Sequence, residues 1–169
     1  AEVHYNLGVT LQELNQLDAS IKSFEQAITI KPDYADAYIN LGNTLRGLGR
    51  LDAAVKSYKQ ALAINPDYAE AHNNLGNTLN DLTQLDAAVK CFKQALAIKP
   101  DFAEAHNNLG ATLQELDQLD AAVKCFKQAL AINPDFAEAH NNLGNALNDL
   151  TQLDAAVKCF KQALAINPD

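Results

Sequence analysis

Apolar residues in this chain fall at the three- and four-residue spacing of helices, and the pattern restarts at regular intervals. Between 69 and 102, Leu75, Leu79 and Leu82 form one stripe, as expected of a helix beginning near Ala69. A short turn at Thr83-Gln84 follows. Asp86 then opens a second helix, as its N-cap or as a first-turn acid that complements the helix dipole. Val89, Phe92, Leu96 and Ile98 make the apolar face of that second helix, and Pro100 forbids its continuation. Each segment is therefore a helix–turn–helix pair.

The same pair recurs along the whole chain. Leu-Gly appears at Leu7-Gly8, Leu41-Gly42, Leu75-Gly76, Leu109-Gly110 and Leu143-Gly144, and proline at Pro32, Pro66, Pro100, Pro134 and Pro168, both series stepping by 34. Self-similarity at this period is the mark of a repeat architecture. The predicted repeats run 1–34, 35–68, 69–102, 103–136 and 137–169, and together they form a single all-α array. Asp86 and Lys90, with their equivalents, stand four apart in the favourable acid-before-base order, a pair worth only ~0.2–0.5 kcal/mol. Packing must supply most of the stability, and neither helix of a pair can bury its face alone, so neighbouring repeats must stack. Glycine inside the first helix costs roughly 0.8–1 kcal/mol relative to Ala. Its recurrence predicts a close approach of the paired helix, opposite small residues such as Ala88 and Ala95.

Leu7, Gly8, Phe24, Ala27 and Pro32, with their equivalents in later repeats, resemble the tetratricopeptide signature over the full chain. His4, Tyr38, His72, His106 and His140 stand where the family often has Trp, and Ser20 stands where it usually has Ala. The resemblance implies a right-handed superhelical α-solenoid, a protein-binding scaffold whose first helices line a concave groove.

Helical geometry locates a polar stripe independently of that resemblance. At about 100° per residue, Glu70, Asn74, Asn77 and Asp81 lie opposite the leucines of the first helix. Asparagine recurs at one offset in all five repeats, at Asn6, Asn40, Asn74, Asn108 and Asn142. Asn43, Asn73, Asn77, Asn80, Asn107, Asn141, Asn145 and Asn148 are predicted to join the same polar side. Asn is a poor helix former because its side chain competes for the backbone. Its carboxamide, however, can satisfy a peptide C=O and N–H together. Neighbouring helices pack ~8–10 Å apart and an extended strand rises ~3.3 Å per residue, so one amide would meet about every third peptide residue. The column resembles the asparagine ladder in the repeat domain of O-linked N-acetylglucosamine transferases. The plainer reading is an unselective polar face retained by duplication, since repeats 69–102 and 137–169 differ only at Thr78 versus Ala146 and Lys99 versus Asn167. Repeats 1–34 and 35–68 diverge elsewhere, yet keep Asn6 and Asn40.

Charge adds a direction to this picture. The net charge of −8 argues against nucleic acid or an anionic membrane as the main partner, because both require a basic field. Glu2, Asp36, Glu70, Glu104 and Glu138 flank one edge of the asparagine column, and Glu13, Asp81, Glu115 and Asp149 the other. Nine of the eleven lysines lie on second helices. A neutral or basic peptide is the expected ligand. A clamp for carboxylate tails, built by relatives from groove Lys and Arg, is not expected, because those offsets carry Tyr5, Ile39, Asn73, Asn107 and Asn141 and only Arg46 is basic. No apolar run approaches the ~20 residues of a membrane span.

Chemistry apart from the repeat is missing. His72, His106 and His140 form a column one repeat apart on the buried side, whereas metal ligands must converge within about 2.1 Å of one ion. Cys91, Cys125 and Cys159 recur in the same way, too far apart to pair within the ~7 Å that a disulfide demands. Three unpaired thiols favour a reducing, cytoplasmic setting. No catalytic constellation, phosphate loop, cofactor motif or metal motif stands out, so an enzyme is not expected. The competing expectation is a self-associating scaffold. Arrays usually end in a polar capping helix, whereas Val157, Leu164 and Ile166 precede Pro168-Asp169 and would leave an apolar end face for end-to-end association. That ending, and a start at Ala1-Glu2 without Met, are expected of a piece cut from a longer array.

Overall fold

A computed structural model of the chain describes residues 1–168, leaving Asp169, the end of the fifth predicted repeat, outside the described residues. Among these there are ten helices and no strand. The first helices of successive repeats are α1 (Glu2–Glu13), α3 (Ala35–Gly47), α5 (Ala69–Asp81), α7 (Ala103–Glu115) and α9 (Ala137–Asp149). The second helices are α2 (Leu17–Ile30), α4 (Leu51–Ile64), α6 (Leu85–Ile98), α8 (Leu119–Ile132) and α10 (Leu153–Ile166).

The chain divides into two compact units in the turn between α5 and α6. In the N-terminal unit, Ala1–Gln84, α1 packs on α2 and α3, α2 on α3, and α3 on α4 and α5, with α4 closing against α5. The C-terminal unit starts at Leu85. Within it α7 packs on α6, α8 and α9, and α9 on α8 and α10.

Local chemistry explains where each helix stops. The second helices end at isoleucine, and Lys31, Asn65, Asn133 and Asn167 then turn extended, with φ between −132° and −127°. Each precedes a proline, whose ring disfavours helical geometry in the residue before it. The first helices end differently, on a left-handed residue: Asn15, Gly49, Thr83, Asp117 or Thr151. The next amide bonds back five residues, as in Gln16 N–H to the Leu11 carbonyl at 2.8 Å and Arg50 N–H to that of Leu45 at 2.9 Å. This is a Schellman closure, which satisfies the orphan carbonyls of the last turn.

Gly8, Gly42 and Gly110 each face an aromatic ring of the paired helix. A Cβ on Gly8, Gly42 or Gly110 would stand 2.6 Å from the ring of Phe24, Tyr58 or Phe126 respectively. The three rings are fully buried. At these three glycines the expected close approach of the paired helix is made by its aromatic ring, where alanines were expected. Ser20, the departure from the family's alanine, is fully buried and donates its hydroxyl to the Gly8 carbonyl at 2.8 Å, so its polar atom is satisfied. The expected pairing of acids with lysines one turn later is also replaced in the first repeat, where Asp18 accepts from Arg50 of the next repeat at 3.0 Å.

Candidate functional site

The asparagine column lies on α1, α3, α5, α7 and α9. Asn6 and Asn145 are exposed, while Asn40, Asn74, Asn108, Asn142, Asn43 and Asn77 are half-buried. Glu70, Asp81, Glu104 and Glu115 lie along the same helices, all four exposed. The backbone beneath the column is braced from within: Thr44, Thr78 and Thr112 are buried and donate their hydroxyls to the carbonyls of Asn40, Asn74 and Asn108 at 2.8–2.9 Å. A hydroxyl that bonds back one turn avoids being left unsatisfied in the core.

Three of the column amides are not free-swinging. Asn40 Nδ2 donates to the Tyr5 hydroxyl at 2.8 Å. Asn74 Nδ2 donates to Asn43 Oδ1 at 3.1 Å, and Asn142 Nδ2 to Asn107 Oδ1 at 3.0 Å. Asn43 Oδ1 also accepts from the Tyr58 hydroxyl at 2.7 Å. Each of these three column amides is thus tied to the repeat before it.

Two residues expected on the polar side belong elsewhere. Asn73 is 5% and Asn107 1% exposed, and the second of these bonds in two directions, its Nδ2 donating to Glu138 at 3.0 Å while its oxygen receives Asn142. A carboxamide can be buried at low cost when both its ends are bonded. The period alone put these asparagines with the stripe, because it reports an angle around one helix and not where the next repeat lies.

The acidic margins are more varied than their sequence. Arg46 Nε donates to Asp81 at 2.7 Å, so that carboxylate is neutralised. The corresponding bond in the C-terminal unit joins Gln114 to Asp149 at 2.7 Å, with no charge to offset the acid. Asn43, Arg46, Gly47 and Asp81 line an open cavity of about 430 Å³. Asp36 accepts from the Tyr68 hydroxyl at 2.7 Å. That bond, before burial, pushes the Tyr68 phenol up to about 12. Burial does the same for Tyr58, also to about 12, against the opposing pull of Arg46 and Thr78. The second-helix lysines, Lys90 and Lys93 among them, carry the opposite charge on the other helix of each pair.

The remaining candidates serve the scaffold. His72, His106 and His140 are half-buried, and each Nε2 lies 2.9–3.0 Å from the carbonyl of the proline six residues earlier. These rings latch the interhelix loop to the following helix. Burial raises the thiols of Cys125 and Cys159 above their ordinary value, with Lys93 and Lys127 pulling the other way. Among the described residues, no group of His, Cys, Asp or Glu is arranged to hold a metal ion, and no helix is long and apolar enough to cross a membrane. On α9 and α10, Phe160, Ala163 and Leu164 help line an open cavity of about 460 Å³.

Within each unit, helix pairs packed one on the next with a polar row along the first helices define a repeat scaffold for protein–protein interaction. A family model described as the TPR repeat matches residues 11–47, 42–82, 76–117 and 115–151, and one described as the tetratricopeptide repeat matches 137–169. The chain belongs to the tetratricopeptide-repeat family, in the all-α class of its solenoids. Comparison with curated proteins gave no match. Among solved structures, MamA is 25% identical with a TM-score of 0.87, over 95% of this chain and 94% of its own. A thermophilic TPR protein of Thermus thermophilus is 27% identical with a TM-score of 0.80, over 99% and 92%. YrrB, described as a TPR protein with an unusual peptide-binding site, shares the fold at 23% identity and a TM-score of 0.78, over 98% and 86%.

Proposed function

We propose that the first helices of each unit bind extended peptide by its backbone, those of the N-terminal unit through Asn6, Asn40 and Asn74 and those of the C-terminal unit through Asn108 and Asn142. One observation carries this reading: Asn40, Asn74 and Asn142 are half-buried and oriented, each through an Nδ2 bond to the preceding repeat. Such an amide keeps a second N–H and the Oδ1 lone pairs, which is what a peptide C=O and N–H require. The likeness to the asparagine ladder of O-linked N-acetylglucosamine transferases supports the same reading. So does the ability of the fold to carry a peptide-binding site, as the description of YrrB has it.

Glu70, Glu104 and Glu115, beside the column, favour neutral or basic peptides over acidic ones. Asn43, Asn77 and Asn145 widen the amide surface, and Asp81 enters it as the partner of Arg46. The test replaces Asn40, Asn74 and Asn108 with Ala and measures binding of neutral, basic and acidic peptide arrays at low salt. Lost affinity with an intact helical signal is the expected result, since Ala is the better helix former. Unchanged affinity sinks the ladder, and tighter binding of acidic peptides sinks the charge preference.

A second reading, end-to-end association with another copy, draws on the exposure of Val157, Leu164 and Ile166. Light scattering across concentration decides it, and a monomer throughout removes it.

A further inference from the structure

The anchors of the column amides follow a rule that no single repeat reveals. Asn40 is held by Tyr5, 35 residues earlier, and Asn142 by Asn107, also 35 earlier. Asn74 is instead held by Asn43, 31 residues earlier. These two offsets differ by four, so they lie one above the other on the same face of the preceding first helix. At these three junctions their occupants alternate, whereas the third repeat carries Asn at both places, Asn73 and Asn77. Where the earlier position is polar, the later one is apolar: Tyr5 with Val9, and Asn107 with Ala111. Where the earlier position is apolar, the later one is polar: Ile39 with Asn43. At each of these three junctions one polar side chain stands at one of the two places and receives the amide of the next repeat.

From this alternation we infer that Tyr5, Asn43 and Asn107 are positioning residues, which set the rotamer of Asn40, Asn74 and Asn142 before any ligand arrives. The physical need is plain. A surface asparagine samples several rotamers and both orientations of its amide, and ordering it on binding costs affinity. An acceptor fixed in the preceding repeat commits one Nδ2 hydrogen, which sets which way the amide faces and leaves the other hydrogen and Oδ1 outward. Only the position of the acceptor matters, so a phenol or a carboxamide serves, from either turn. Asn107 is the most committed of the three, because its own Nδ2 is bonded to Glu138 and its oxygen cannot turn away. The functional consequence rests on the peptide-binding reading; the anchoring itself does not.

The alternation also supplies the test, since the chain contains both solutions. Asn107→Ile reproduces the Ile39 arrangement, in which a buried isoleucine fills this place, and so removes the anchor with a side chain the fold already accepts. Adding Ala111→Asn installs the other anchor, as at Asn43. Tyr5→Phe removes the anchor of Asn40 while keeping the ring. The first readout needs no ligand: the side-chain ¹H–¹⁵N signals of Asn142 and Asn40 in the whole chain.

In the parent, the bonded hydrogen of each amide should lie downfield of its free-amide position and exchange slowly. N107I should return the Asn142 hydrogens to free-amide positions, N107I/A111N should restore the downfield shift, and Y5F should return the Asn40 hydrogens to free-amide positions. The second readout is affinity for a dodecapeptide of alternating Ser and Lys. Loss of one neutral hydrogen bond's worth of ordering predicts binding about three- to tenfold weaker in N107I, recovered in the double variant. Recovery without Asn107 also separates the amide anchor from the Glu138 contact, which the double variant does not rebuild. Unmoved Asn142 signals in N107I, or no restoration by A111N, overturn the inference. If the parent itself fails to bind the dodecapeptide, the peptide reading falls and the amide signals alone decide the anchoring.

Discussion

The second repeat, in the N-terminal unit, and the fourth, in the C-terminal unit, solve one packing problem with opposite chemistry. In the second repeat, the ring against Gly42 is Tyr58, whose hydroxyl donates to Asn43, which in turn receives Asn74. In the fourth, the ring against Gly110 is Phe126, and Ala111 stands at the offset of Asn43. The amide work moves to Asn107, where the first unit has Ile39. At the rim, Arg46 with Asp81 becomes Gln114 with Asp149. Residues change in sets, and each of these sets leaves its polar atoms bonded. A tyrosine hydroxyl beside Ala111 would lose the acceptor that Asn43 provides, which is why Phe and Ala occur together there. What the repeats preserve is satisfaction of polar groups, not residue identity.

The largest effect should come from challenging what the units share. Gly42→Ala and Gly110→Ala each drive a methyl into a fully buried ring at 2.6 Å, and overpacking of this kind costs about 1–3 kcal/mol. G42A should cost more than G110A by about 1 kcal/mol, because displacing Tyr58 also strains its bond to Asn43. Urea melts of the two variants check this, and equal losses would argue that the hydroxyl tether contributes nothing.

Exchanging the rings probes the difference directly. Phe126→Tyr should destabilise by about 1–3 kcal/mol, the cost of an unsatisfied buried hydroxyl. Adding Ala111→Asn should recover most of it. Tyr58→Phe should cost only about 0.5–1.5 kcal/mol, since Asn43 keeps its bond to Asn74. A thermodynamic cycle over F126Y and A111N that is additive would break the idea of matched sets.

Alkaline pH should separate the units without mutation of their packing. Tyr58 and Tyr68 titrate near 12 in the folded chain, against ~10 when unfolded. Between those values the unfolded chain holds fewer protons, so stability is intact below pH ~10 and falls as pH rises toward 12. The raised thiols of Cys125 and Cys159 act with the same sign. Replacing both with Ser, which Ser23 and Ser57 show the offset accepts with a bond to the carbonyl four residues back, removes their share of the loss. In that background, Y58F/Y68F should flatten the loss of urea midpoint above pH 10, and an unchanged slope would count against the burial of Tyr58.

The smallest expected effect lies in the turns. Thr83 and Thr151 hold φ near 57° and 59°, where the first unit also has Gly49 and Asn15. A β-branched residue is poorly suited to that region, and Asn tolerates it. Thr83→Asn and Thr151→Asn should each raise stability by about 0.5–1 kcal/mol, comparing midpoints with the parent.

Sequence and structure divide the explanation unevenly. The period, the leucine stripe and the pre-proline stops of the second helices are local, and the sequence sufficed for them. The asparagine column was legible too, because an identical offset in every repeat fixes an angle around the first helix. The alternation of Ile39 and Asn43 with Asn107 and Ala111 was equally present in the sequence, but it carried no meaning until the next repeat was in place.

Burial of Asn107, the rings against Gly8, Gly42 and Gly110 and the pairing of Arg46 with Asp81 join residues 16 to 35 positions apart. Periodicity cannot decide such contacts, since it orders side chains about one axis and is silent on the distance between two. The sequence by itself therefore determined that polar amides recur along one face of every first helix. The tertiary structure decided which amides face outward and which are consumed between repeats, because only packing sets which donor finds an acceptor within about 3 Å.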